Sequence, residues 1–144
     1  MSTKSVVIGS DHGGFELKEQ IRAYLVEEKM LEVIDVGTHT KDRVDYPDIG
    51  VKAAGTVLEK KAPGIVFCGS GIGISIACNK VDGVRCALVH DAYTAQYCRL
   101  HNDANMIAIG GRTTGIEIAK QMVDIFLSTE FEGGRHADRV AKLK

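Results

Sequence analysis

Apolar and polar positions along this chain keep two rhythms that take turns. Lys4–Gly9 is a tight run of Val and Ile closed by glycine, which reads as a strand buried on both faces. Leu17, Ile21, Tyr24, Leu25 and Glu28 then recur at helical spacing, the polar member last. Leu31–Asp35 predicts a second strand, and a polar loop over 37–45 follows it. Pro47 suits a first helical turn, and Ile49, Ala53, Val57 and Leu58 supply the next apolar stripe. Gly64–Cys68 predicts strand three and Ile72–Lys80 a short helix; Arg85–Val89 predicts strand four, with a helix from about Asp91 to Leu100. Asn105–Ile109 predicts strand five. Thr114 and Glu117 have the spacing of a capping box ahead of Ala119, Met122, Val123, Phe126 and Leu127. Gly133-Gly134 interrupts the chain before a last basic helix, about 134–143.

Strand and helix alternating five times predict parallel strands with crossover helices on both faces. The fully apolar strands agree, because a strand covered on two sides has no polar face to alternate. The expected class is α/β: a single-domain, Rossmann-like open parallel sheet of about five strands spanning 1–144, with no linker or low-complexity stretch.

Composition narrows the possibilities without naming a function. With 44% hydrophobic and 26% charged residues, the 144-residue chain has the makeup of a globular domain large enough for a real core. The net charge of −1, from 18 basic and 19 acidic residues, lacks the basic excess of a nucleic-acid binder, so any anion site must be local. No apolar run approaches the roughly 20 residues of a membrane span, and Met1–Ser5 is too short and polar for a signal peptide. A cytoplasmic protein with no nucleic-acid or membrane partner is the expectation. Cys68, Cys78, Cys86 and Cys98 are separated by seven or more residues, which disfavours zinc ribbons and redox pairs and suggests reduced thiols.

In an open parallel sheet, ligands bind beyond the carboxyl ends of the strands. Ser10-Asp11-His12-Gly13-Gly14, Cys68-Gly69-Ser70-Gly71-Ile72-Gly73, His90-Asp91 and Gly110-Gly111-Arg112 all fall at those ends. The Cys68–Gly73 loop says most. Its glycines let successive backbone N–H groups converge, and the helix that follows adds its positive end, a combination suited to an oxyanion or a phosphate. A thiol at the rim of such a nest is favoured as the thiolate. An ordinary turn around an inert core cysteine fits the same letters. A dinucleotide fingerprint would need glycine where Ile74 stands, no Gly-Lys-Ser/Thr follows for a nucleotide phosphate loop, and a Cys-x5-Arg phosphatase would need arginine at Ile74. His12, His39, His90, His101 and His136 show no paired spacing of the His-Glu-x-x-His kind, so no metal is expected. His12 stands beside Asp11 and His101 beside Asn102, which marks both as candidates. Arg135 and Arg139, four apart, share one helix face and suit a phosphate dianion, or else form a solvated basic face with Lys142 and Lys144.

Together with Asp45-Tyr46-Pro47, Asn79-Lys80, His101-Asn102-Asp103 and Gly133-Gly134-Arg135-His136, these motifs give the chain a family likeness. It resembles ribose-5-phosphate isomerase type B, within the group that includes galactose-6-phosphate isomerase subunits, over essentially its whole length. The resemblance implies a cofactor-free aldose–ketose isomerase of the pentose phosphate pathway. Cys68 would be the base between C2 and C1, and the Gly69, Gly71, Ile72 and Gly73 backbone would hold the enediolate. Ser70 would shuttle hydroxyl protons, and His101, assisted by Asp11, would open the sugar ring. Asn102 and Tyr46 would place the sugar, and His12, Arg112, Arg135 and Arg139 would surround the phosphate. One branch of the family carries a glutamate base at the position of Ile74; isoleucine there, with Cys68 present, resembles the cysteine branch. Isomerases of six-carbon phosphates (allose or galactose 6-phosphate) and a non-catalytic sugar-phosphate sensor are the alternatives.

Connectivity adds one expectation. His101 and Asn102 follow a helix and precede strand five, which puts them at the amino edge of the sheet, whereas Cys68 ends a strand at the carboxyl edge. If both serve one site, a second subunit must bring His101 across, so the expected state is a homo-oligomer, at least a dimer, with sites at the interface.

Overall fold

A computed structural model describes residues 4–143. Met1–Thr3, part of the segment judged unlike a signal peptide, and Lys144 lie outside the described residues. Five strands form one parallel sheet: β1 (Ser5–Ser10), β2 (Glu32–Asp35), β3 (Gly64–Cys68), β4 (Cys86–Leu88) and β5 (Met106–Gly110). Helices α1 (Phe15–Ala23), α2 (Tyr46–Lys60), α3 (Ile72–Asn79), α4 (Ala92–Leu100), α5 (Ile116–Ser128) and α6 (Arg135–Val140) connect and follow them. Among the described residues no helix is long and apolar enough to cross a membrane.

The spatial order is β2-β1-β3-β5-β4. The last strand is thus inserted beside the central one and leaves the three-residue β4 on an edge. Strand alternation sends neighbouring side chains to two cores. Val6, Ile8, Ile65, Phe67, Ile107 and Ile109 meet α1, α4 and α5 on one face. Val7, Val66, Cys68 and Ala108 meet α2 and α3 on the other.

Three local expectations change. The periodic run ending at Glu28 is α1 continued by a wider π-helical stretch, Tyr24–Glu28, rather than one regular helix. The Thr114–Glu117 capping box does not form. The N–H groups of Thr113 and Thr114 both turn back to the carbonyl of Gly110, so α5 begins one residue later with Gly115 at its cap. The box that does form belongs to α4, where Asp91 Oδ1 accepts from the Thr94 N–H at 2.8 Å and Thr94 Oγ1 accepts from the Asp91 N–H at 3.3 Å. The terminal helix is shorter than 134–143, because α6 stops at Val140 and only a turn follows.

Candidate active site

At the carboxyl edge, three loops meet. Asp11 is almost fully buried, and its Oδ1 accepts from the N–H groups of Gly13 (2.9 Å) and Gly14 (3.1 Å), closing a single 3₁₀ turn before α1. This pins the loop against Gly69, whose backbone nitrogen lies 3.0 Å from where a Cβ on Gly13 would stand. On the other side the Gly111 N–H donates to the Cys68 carbonyl (2.8 Å) and the Arg112 N–H to that of Gly69 (2.9 Å). Arg112 therefore lies over the Cys68 loop because β5 is the neighbour of β3.

Cys68 ends β3 with 5% of its surface exposed, and its Sγ accepts from the Gly71 N–H at 3.1 Å. Gly71 has φ of +80°, and a Cβ there would come within 2.7 Å of Leu88 and 3.0 Å of the Ile109 backbone, so glycine is required for the N–H to point at sulfur. The first N–H groups of a helix have no partner within it. At α3 the Ile72 N–H meets Ser70 Oγ at 3.1 Å. The Tyr46 ring packs on the same first turn, against Gly73. Ile74 is fully buried.

His12 Nδ1 accepts from the Val44 N–H at 3.2 Å, which leaves Nε2 as the protonated nitrogen of the neutral ring. Asp11, His12, Tyr46 and Arg112 line one cavity of about 610 Å³. Arg43 lines it too and was missed from the sequence. The signal that finds it is charge accounting. Arg22, Arg85 and Arg99 pair with carboxylates at 2.9, 3.3 and 2.9 Å. Arg43, Arg112, Arg135 and Arg139 have no such partner among the described residues, which leaves their guanidiniums available to an anion. A second residue missed is Lys18, which lies inside the helical stripe yet is wholly buried. Its ammonium reaches Asp35 (2.7 Å), Glu19 (3.2 Å) and the Thr38 carbonyl (2.7 Å). Gly37 and Thr38 in turn bond both backbone groups of Ser10, the residue before Asp11.

His101 and Asn102 are elsewhere, at the carboxyl end of α4. Cys68 lies opposite Gly110 and the His101 segment leads into Met106, so about 13 Å of β5 separates the two levels of the sheet. There His101, Asn102 and Arg139 line a separate cavity of about 250 Å³ that shares no residue with the first. Arg135, at the start of α6, does not line it. His101 stacks on His136 (centroids 4.0 Å apart, planes 14° apart) and meets Tyr97 edge-on. Burial first, then His101 and Arg135, hold the His136 imidazole below its ordinary pKa. Donor atoms of His101, Glu132 and His136 lie within 4.8 Å of one another.

A thiol accepting from the Gly71 N–H, and a cavity at the same sheet edge lined by two arginines without carboxylate partners among the described residues, sit on this fold as they do in a sugar-phosphate isomerase. The family described as Ribose/Galactose Isomerase matches residues 6–143. Ribose-5-phosphate isomerase B of Escherichia coli is 46% identical over 95% of this chain and 92% of its own. D-erythrulose-4-phosphate isomerase of Pectobacterium atrosepticum is 41% identical over 96% of this chain and 91% of its own. The solved ribose-5-phosphate isomerase B of Clostridium thermocellum superposes with a TM-score of 0.93 at 50% identity, covering 96% of this chain and 93% of that one. The chain belongs to the ribose/galactose isomerase family, in its ribose-5-phosphate isomerase B group, and is an aldose–ketose isomerase.

Proposed function

We propose that the chain interconverts ribose 5-phosphate and ribulose 5-phosphate through an enediolate, with Cys68 as the base. The Cys68 thiolate takes the C2 proton, the electron pair of that C–H bond forms the C1–C2 double bond, and the carbonyl oxygen takes up negative charge. Returning the proton to C1 completes the ketose while Ser70 carries the hydroxyl proton between the two oxygens. The net change is a hydrogen shift, so no external oxidant or reductant is required. The observation that supports this reading is the 3.1 Å contact from the Gly71 N–H to Cys68 Sγ on the loop that opens α3. Base and oxyanion donors then share one rigid segment. A positioned base is worth about 10²–10⁴-fold, and each oxyanion donor about 10²–10³-fold.

The Gly69, Gly71, Ile72 and Gly73 backbone holds the enediolate, and Tyr46 and Asn102 place the sugar. His12, Arg112, Arg135 and Arg139 bind the phosphate. His101 opens the furanose ring with Asp11, across a subunit interface, in a homo-oligomer of at least two chains. The separation of the cavity lined by His101 from the one lined by Asp11 and Arg112 supports that sharing.

Cys68→Ala should lower kcat for ribose 5-phosphate by at least about a hundredfold with the far-ultraviolet circular dichroism unchanged; unaltered turnover removes Cys68 as base. Subunit exchange between Cys68→Ala and His101→Ala proteins should restore part of the activity, because one site of each mixed dimer is then intact. No recovery in verified mixed dimers counts against sharing. Comparing kcat/KM for four-, five- and six-carbon aldose phosphates tests the substrate; a preference for either of the others overturns the five-carbon choice.

A further inference from the structure

The ring of His101 is held by a stack that runs between two helices. Tyr93, Tyr97 and His101 are four residues apart and share a face of α4, with Tyr93 stacked on Tyr97 at 4.3 Å and Tyr97 edge-on to His101 at 4.9 Å. The outer face of His101 is covered by His136, whose ring lies 4.0 Å away at 14°. His136 is itself only 4% exposed, and its Nε2 is buried without a hydrogen bond. The backbone keeps the two rings in place: the Glu132 N–H donates to the Leu100 carbonyl (3.1 Å) and the His136 N–H to that of Gly133 (3.1 Å), tying the start of α6 to the end of α4.

We propose that His136 is a positioning residue for His101, its buried ring setting the plane in which His101 hands its proton to the sugar ring oxygen. The inference rests on the ring-opening role of His101 proposed above. Proton transfer needs the imidazole nitrogen aimed within a narrow cone, and His101 is only half-buried, so without His136 only the edge contact with Tyr97 would limit its ring. A ring stacked this closely must also stay uncharged when His101 is protonated, since two cations face to face repel. The groups around His136 favour that. Arg135 and Arg139 on its own helix, His101 from α4 and burial all oppose a second positive charge, and Glu132, 3.6 Å from Nε2, is the one group that favours it.

Flatness, not basicity, is then what the position requires. His136→Phe should keep kcat for ribose 5-phosphate within about threefold and leave the pH profile of kcat in place. His136→Leu, of similar bulk but without a flat face, should lower kcat at least about tenfold with KM changed less than about threefold. In His136→Leu the His101 ring proton should also lose its ring-current shift in the NMR spectrum, and in His136→Phe retain it. Wild-type kcat in the Leu variant, or equal damage in both variants, overturns the proposal, as does a fall confined to thermal stability. His101→Asn is the control that separates the two claims. If it keeps full activity, the ring-opening role fails; if it loses activity while His136→Leu does not, only the positioning role fails.

Discussion

The two edges of the sheet solve the placing of reactive groups by opposite means. At the carboxyl edge the parts are backbone: the Asp11 turn, the Cys68–Gly73 loop and the Gly110–Arg112 turn are bonded to one another through N–H and carbonyl groups, and the thiol is set by the N–H of Gly71. At the amino edge the parts are rings. His101, His136 and Tyr97 meet face and edge on the ends of two helices, one of them only six residues long. Backbone geometry leaves little room to move and suits the step in which charge must be held as it develops. A stack of side chains fixes a plane but tolerates sliding, which suits the group that the proposed function passes to a second subunit.

The comparison breaks most severely at Lys18, behind the carboxyl edge. Lys18→Met leaves the partly buried Asp35 without its cation and should cost about 3 kcal/mol in chemical unfolding. A loss below about 1 kcal/mol means that the pair is not what holds the 35–38 turn. Next come two glycines with left-handed φ, one at each edge. Gly71→Ala and Gly83→Ala share the backbone cost of a left-handed φ (+80° and +92°), about 1–3 kcal/mol, to which Gly71→Ala adds the approach of its Cβ to Leu88 at 2.7 Å. Only Gly71→Ala should also lower kcat, by at least tenfold; equal kinetics in the two variants contradicts the view that the Gly71 N–H sets the base. Smaller still, Arg112→Gln should raise KM about tenfold with kcat nearly kept, since on the proposed reading it removes a charged phosphate contact. An unchanged KM transfers that role to Arg43, His12 or the arginines of α6.

The smallest effect concerns pH. His136 is held neutral in the fold, with its pKa below the ordinary 6.5. Below that value the unfolded chain binds a proton that the native state refuses, so the associated stability is present above pH 6.5 and lost as the pH falls. The Tm of the wild-type protein should therefore drop more between pH 7 and 5.5 than that of His136→Phe. Parallel curves show that His136 carries no such linkage.

Much of this was legible because it is local. Gly64–Cys68 is a strand for its unbroken apolar run, and it ends where the letters end it. Asp11, His12 and Arg112 stood out as polar residues at strand ends and Tyr46 through the family likeness, and one cavity gathers all four. Thr114 was misread for an equally local reason. A capping box is a spacing rule, and here the turn after β5 uses the Thr113 and Thr114 N–H groups first. Arg43 sat in a loop with no pattern to distinguish it, and Lys18 in a stripe where a lysine reads as solvent-facing until its partners are known.

The sequence alone determined the order and type of the elements, the parallel class of the sheet and the glycine geometry around Cys68, since each depends on side-chain period or φ within a few residues. Only the tertiary structure decided that β5 inserts between β3 and β4, bringing Arg112 over the Cys68 loop, that Lys18 is buried against Asp35, and that His136 lies on His101. Those outcomes depend on which distant segments pack together, and spacing along a chain carries no measure of that.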